Sequence, residues 1–245
     1  MSNNFNPEKY RILAVDDSTL ILNMVETALK RAGFQVSTAI SGEDALDLIK
    51  QQGLPHLALV DINMPFGMDG FEFCEQLHQF SDVPVIMLTA IDEQDTIIHA
   101  IEQFAEDYIT KPFSPGELVA RVRRVLRRLG NFPYDLNALT RVDEHLTVDF
   151  PGCQIILNGK PISLTPTETK LLYILMRSAG KIMSFNFLMQ RLWPMESTTE
   201  ERLRVYVHRL RKKIEPDSAN PRYIMAERGK GYGFVASTHT NQTET

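Results

Sequence analysis

Two adjacent carboxylates, Asp16 and Asp17, follow the apolar run RILAV at 11–15. Like charges side by side at the margin of a low-dielectric interior repel, at high cost unless a cation or proton neutralises them. A third carboxylate, Asp61, ends HLALV at 56–60, Thr89 follows VPVIML at 83–88, and Lys111-Pro112 follows EDYIT at 106–110. If these runs are neighbouring strands, three carboxylates, a hydroxyl and an ammonium share one rim. With hard oxygen ligands and no His or Cys nearby, Mg²⁺ is the natural neutraliser, because it accepts one or two carboxylates and keeps several waters. Such a rim suits a phosphoryl group: one Asp acts as nucleophile while the other groups hold charge. Taken singly, each residue has a plainer role, with the acidic pair or Thr89 as helix caps and Lys111 as a solvated charge.

The runs that carry these residues alternate with helical patterns over 20–32 and 43–51, then FEFCEQLHQF, TIIHAIEQFA and PGELVARVRRVLRRL; QVSTAI supplies the remaining strand. Five strands alternating with five helices predict an α/β fold, a doubly wound five-stranded parallel sheet covered on both faces. Right-handed crossovers set the first and third strands side by side, and sites in such sheets form at the carboxyl ends of strands.

The second half differs in charge and pattern. Residues 1–128 carry 11 Lys and Arg against 19 Asp and Glu, a charge of -8, whereas residues 129–245 carry 15 against 12, a charge of +3. Strand signals appear in VDEHLTVDF and CQIILNGKPISLT, with Asn158-Gly159 as a hairpin turn. TPTE opens a helix with Thr165 as cap, Pro166 at the first position and Glu168 closing a capping box. FNFLMQRLW and EERLRVYVHRLRKKI read as further helices, and YIMAERGKGYGFVA as a glycine-rich hairpin.

In the last helix Leu203, Val207, Leu210 and Ile214 form a core stripe, and Arg202, Val205, Tyr206 and Arg209 lie away from it. Residues 202–213 hold six Lys and Arg and no acid, a footprint for a polyanion. A helix fits the major groove of DNA, where Arg meets guanine edges and an apolar group meets a thymine methyl. His208, Arg211, Lys212 and Lys213 suit phosphates. The plain alternative is a solvated charged face.

No apolar run reaches the length of a membrane helix, and MSNNFNPEKYR has no stretch suited to a signal peptide, so a cytoplasmic protein without a membrane partner is expected. Cys74 and Cys153 lack metal-type spacing and read as packing residues.

Residues 11–128 resemble the receiver domain of two-component response regulators, a flavodoxin-like fold marked by the acidic pair, acceptor Asp, Thr or Ser, and Lys-Pro. The resemblance implies phosphorylation of Asp61 by a sensor histidine kinase. It implies Mg²⁺ on Asp17, Asp61 and the Asn63 carbonyl, with Asp16 acting largely through water, and phosphate oxygens held by Thr89 and Lys111. Tyr108 would swing with Thr89 on activation. DINMPFGMDG departs from the pattern by one extra residue between Pro65 and Asp69-Gly70.

Residues 143–236 resemble the winged helix-turn-helix DNA-binding effector of the OmpR/PhoB family, and Leu-Arg-Val-Tyr at 203–206 is closer to a KdpE-like branch. The resemblance implies a third helix in the major groove of promoter DNA, a wing in the neighbouring minor groove, and RNA polymerase at PMESTTE. Many members have Arg at Gly233, so the wing contact falls to Arg228 or Lys230 or is weaker; in the third helix Arg204 replaces an acid that many members have. Receivers of this family pair as homodimers on phosphorylation. Asp107 with Arg121 and Glu102 with Arg123 match two cross-subunit ion pairs; Glu117 matches half of a third, whose basic position is Ile97 here. The expected domains are a receiver at 1–128, a linker at 129–141, an effector at 142–237 and a disordered tail at 238–245. The reading is a phosphorylation-controlled transcriptional regulator that is not a dedicated enzyme. A metal-dependent phosphatase, or an architectural DNA-binding protein whose receiver only dimerises, are the alternatives.

Overall fold

The computed structural model describes residues 5–65, 67–90, 105–129, 133–194, 196–217 and 220–235. The chain divides into two compact units, with the main boundary between residues 130 and 131. In the first, β1 (Arg11–Val15), β2 (Gln35–Ala39), β3 (Leu57–Asp61), β4 (Val85–Ala90) and β5 (Ala105–Lys111) form a parallel sheet in the order β2-β1-β3-β4-β5. Burial follows position. Every residue of the central β3 is buried, whereas edge strand β2 exposes Gln35 and β5 exposes Tyr108. Three further helices, α1 (Thr19–Arg31), α2 (Gly42–Gln52) and α3 (Gly70–Phe80), precede β4, and α4 (Pro115–Leu129) follows β5. Leu22, Val25 and Leu29 of α1 and Leu118, Val122, Val125 and Leu126 of α4 pack with Ile12, Leu59 and Ile109 of the sheet, a helical apolar stripe on a two-sided sheet. The helix expected over TIIHAIEQFA lies outside the described residues.

In the second unit β6 (Thr140–Arg141), β7 (Leu146–Asp149), β8 (Gln154–Leu157) and β9 (Lys160–Ser163) form an antiparallel sheet. The β8–β9 turn is the expected one, with Asn158 at φ 50° and Gly159 at φ 77°. Thus regular structure begins inside the segment expected as linker, because two residues of β6 are too short for any periodic signal. Helices α5 (Pro166–Arg177), α6 (Phe185–Leu192) and α7 (Glu200–Ile214) follow, then a hairpin of β11 (Ile224–Glu227) and β12 (Gly231–Phe234) extended by β10 (Ile182–Ser184) in the order β10-β12-β11. The Thr165–Glu168 capping box opens α5, and Leu203, Val207, Leu210 and Ile214 of α7 are buried as the stripe requires. At the far end of α7 the buried Glu215 carboxylate accepts the main-chain N–H groups of Arg222, Tyr223 and Ile224, tying the helix end to the hairpin. Gly233 sits within β12, where a Cβ would approach the Lys181 carbonyl oxygen to 2.4 Å, and Arg228 and Lys230 lie in the turn between β11 and β12.

Candidate functional site

The order β2-β1-β3 reverses direction at β1 and β3, and a crevice opens at the carboxyl ends of strands flanking such a switch point. Asp16 and Asp17 follow β1, and Asp61 ends β3. Their carboxylate oxygens lie within 4.8 Å of one another, with Asp16 and Asp61 buried and Asp17 exposed. Lys111, at the end of β5, bridges the buried pair: its Nζ is 2.8 Å from Asp16 Oδ2 and 2.9 Å from Asp61 Oδ1. The other Asp16 oxygen accepts the Ser18 N–H at 2.9 Å, so Asp16 also orders the entrance to α1.

Electrostatics follow from this packing. Burial raises the Asp61 carboxyl above its ordinary value, opposed by the Lys111 hydrogen bond and by the N–H of Asn63. On Lys111 burial acts against charge, but the bonds to Asp16 and Asp61 together prevail and hold its pKa above the ordinary value. The residues therefore fit a hard divalent cation: oxygen donors only, two of them buried, and an excess of negative charge that one ammonium does not cancel. Thr89, in β4 one residue beyond the Leu88 that pairs with Asp61, is 1% exposed, whereas Tyr108 is 37% exposed. These two expected switch residues occupy opposite environments. Asn63 is exposed in the loop after β3.

On the outer edge, Asp107 is buried and already paired within the chain, with Arg121 at 3.2 Å and Arg124 at 3.0 Å. Arg121 also holds Glu117 at 2.9 Å, and Arg123 donates to the Ala32 carbonyl. Glu102 and Ile97 lie outside the described residues.

The basic helix α7 proves heterogeneous. Val205 is 45% exposed, and Arg204, His208, Arg209 and Lys212 are exposed, with Arg209 lying over the Tyr206 ring. Arg204 pairs with Glu200 one turn earlier. Three other cations face their own domain. Arg202 stacks on Trp193 at 4.3 Å and pairs with Glu196, Arg211 donates to the Ile224 carbonyl at 2.7 Å, and Lys213 binds the buried Glu168 at 2.7 Å. Tyr206 rests against Trp193. Arg228 and Lys230 are exposed at the hairpin tip, where Lys230 pairs with Glu227. Sequence patterning missed Glu168 and Glu196 as partners of this helix, and Glu215 as its tie to the hairpin, because partners fixed by tertiary packing leave no periodic trace.

Comparisons with known proteins cover both units. Residues 12–123 match the response regulator receiver domain, and residues 159–234 match the family described as transcriptional regulatory protein, C terminal. The chain is 37% identical over 225 residues to the DNA-binding response regulator MtrA of Mycobacterium leprae (strain TN), covering 91% of this chain and 97% of that protein. It is 37% identical over 243 residues to the probable transcriptional regulator ycf27 of Guillardia theta, covering 97% and 95%. Among solved structures, response regulator DrrB, a Thermotoga maritima OmpR/PhoB homolog, shares 31% identity over 92% of this chain and 99% of its own, with a TM-score of 0.44.

Proposed function

The chain belongs to the DNA-binding response regulators of the OmpR/PhoB type, and on that premise we propose that it is a transcriptional regulator rather than a dedicated enzyme and that Asp61 accepts a phosphoryl group from a sensor histidine kinase. An Asp61 oxygen attacks phosphorus, the P–N bond of the donor phosphohistidine breaks, and the imidazole leaves with the bonding pair. Lys111 stays protonated and turns from Asp61 toward the new phosphate oxygens, while retaining Asp16. Thr89 donates its hydroxyl to the same group, and Tyr108 follows it inward. Asp17, Asp61 and the Asn63 carbonyl, with Asp16 through water, are the residues that would hold Mg²⁺, which supplies positive charge to the phosphoryl oxygens. The observation that carries this reading is the three-carboxylate cluster bridged by Lys111 at the switch point. Phosphate uptake from acetyl phosphate by wild type and by Asp61→Asn tests it: the variant should take up none, and uptake at an acyl phosphate in the variant would sink the assignment.

The donor would seat beside the site. Between α1 and α4 runs an apolar groove of about 790 Å³ lined by Leu20, Met24, Ala28, Pro115, Val119 and Ala120, with Leu20 79% exposed. Its lips begin three residues after Asp17 and four after Lys111. Leu20→Arg should slow transfer from the kinase and leave uptake from acetyl phosphate unchanged, which separates docking from chemistry.

In the cytoplasm, the phosphorylated receivers would pair through β5 and α4, presenting two effector domains to repeated promoter sites about one helical turn apart. Asp107 and Arg121 exchange intrachain partners for cross-subunit ones in this pairing, so the net gain is small and they set register more than affinity. In the effector, Val205 and Arg209 read base edges, His208, Lys212, Arg228 and Lys230 hold phosphates, and the segment between α6 and α7 meets RNA polymerase.

A further inference from the structure

The segment between Asp61 and Gly70 returns to its own starting point. Gly70 donates its N–H to the Ile62 carbonyl at 3.2 Å, and a Cβ on Gly70 would lie 2.1 Å from the Asp61 carbonyl oxygen, so only glycine closes the loop. Its far end is fixed by a reciprocal cap: Asp69 Oδ1 accepts the Glu72 N–H at 2.8 Å, and Glu72 accepts the Asp69 N–H at 3.2 Å. The near end carries Asn63, whose N–H bonds to the Asp61 carboxylate. A further hold, just before Asp69, comes from another element. Glu43, in the first turn of α2, accepts the Met68 N–H at 2.8 Å, and Gly67 beside it takes the left-handed conformation at φ 82°. The Glu43 carboxyl is held below its ordinary value by its own main-chain N–H and by that of Met68. The Met68 side chain also lies where Gly42 has none: a Cβ there would meet Met68 Cγ and Sδ at 2.7 Å.

We propose that Glu43 is a positioning residue for phosphoryl transfer, anchoring the loop through Met68 so that the main chain of Asn63 stays set over Asp61. The proposal rests on Asp61 being the phosphoacceptor. Eight residues separate Asp61 from Gly70 in a loop that must present one carbonyl and one N–H at fixed positions, and an anchor at Met68 removes conformational freedom from it. The hydrogen bond and the Gly42 contact act on the same residue, so either can be broken without touching Asp61, Asn63 or Lys111.

Three variants test it. Glu43→Ala removes the acceptor, Glu43→Gln keeps an acceptor oxygen but removes the charge, and Gly42→Ala pushes Met68 away while placing a better helix former in α2. Met68 amide hydrogen exchange in the metal-free protein is the first readout: it should be faster in Glu43→Ala and Gly42→Ala and near wild type in Glu43→Gln. The Mg²⁺ concentration for half-maximal phosphorylation by acetyl phosphate is the second, and it should rise about 3- to 10-fold in the same two variants, below the range of about 10- to 100-fold typical when a ligand's direct partner is lost. Equal losses in Glu43→Gln and Glu43→Ala would overturn the proposal in favour of a charge effect on α2, as would wild-type Mg²⁺ dependence in Glu43→Ala. Failure of wild type itself to take up phosphate would instead remove the phosphoacceptor assignment.

Discussion

Asp61 is held in tension between burial, which disfavours its charge, and Lys111, which favours it, and burial prevails. Its raised pKa means that the folded state binds the proton more tightly than the unfolded chain does. Stability from this group is therefore full below the ordinary carboxylate pKa and is lost as pH rises through the folded value. Asp61→Asn removes the ionised form that costs stability, while Lys111 keeps Asp16. Metal-free Asp61→Asn should melt higher than wild type at neutral pH, and the gap should close near about pH 3, where the wild-type carboxyl is protonated. Equal melting temperatures at neutral pH would contradict the dominance of burial. On the DNA side, Arg209 and Lys230 separate reading from holding. Arg209→Ala should cost about 1–3 kcal/mol on cognate DNA and little on scrambled duplex, whereas Lys230→Ala should weaken both similarly and make the salt slope shallower by about one. Titrations of both variants against the two duplexes decide it, and equal losses for Arg209→Ala on both would remove α7 from base reading.

The helix α7 shows how far an amphipathic pattern carries. Its span and buried stripe were legible from the spacing of Leu203, Val207, Leu210 and Ile214, because a core face repeats along the helix. The partners of the other face were not: Arg202, Arg211 and Lys213, expected as DNA ligands, are engaged in the structure by Trp193 and Glu196, the Ile224 carbonyl, and Glu168. The three-carboxylate rim was legible because each residue ends or directly follows a strand, whereas Glu43 was not, since its partner lies 25 residues away in a loop. Lys213 gives this distinction a measurable form. Burial raises the Glu168 carboxyl, but the Lys213 hydrogen bond and the Thr165 N–H prevail and lower it. Lys213→Met leaves that carboxylate without its cation, at a cost of about 1–3 kcal/mol, less than for a fully buried pair because Lys213 is partly exposed. A lowered carboxyl stabilises above its ordinary pKa and loses that contribution as pH falls through the folded value. Urea unfolding should therefore show a penalty at neutral pH that shrinks in acid, and a wild-type midpoint at neutral pH would contradict a stabilising Lys213–Glu168 pair.

The two halves carry opposite charge, -8 and +3 over residues 1–128 and 129–245, consistent with an acidic phosphoacceptor joined to a DNA-binding domain. Dimerisation would connect them. Arg121→Asp should weaken phosphorylation-dependent association by setting like charges against Asp107, and Asp107→Arg in the same chain should restore part of it; sedimentation of the single and double variants checks this, and additive losses would rule out the pairing. Moving a two-state population from 1:99 to 99:1 needs about 5.5 kcal/mol, within reach of a new phosphate bonded to Lys111 and Thr89 and the dimer it favours. If chemistry at Asp61 governs DNA binding by α7, affinity for a duplex carrying two repeats must follow the phosphorylation of Asp61. Wild type should gain at least about tenfold on phosphorylation, equivalent to about 1.4 kcal/mol, and Asp61→Asn should gain nothing under the same treatment. An equal gain in Asp61→Asn, or none in a wild type shown to carry phosphate on Asp61, would contradict it.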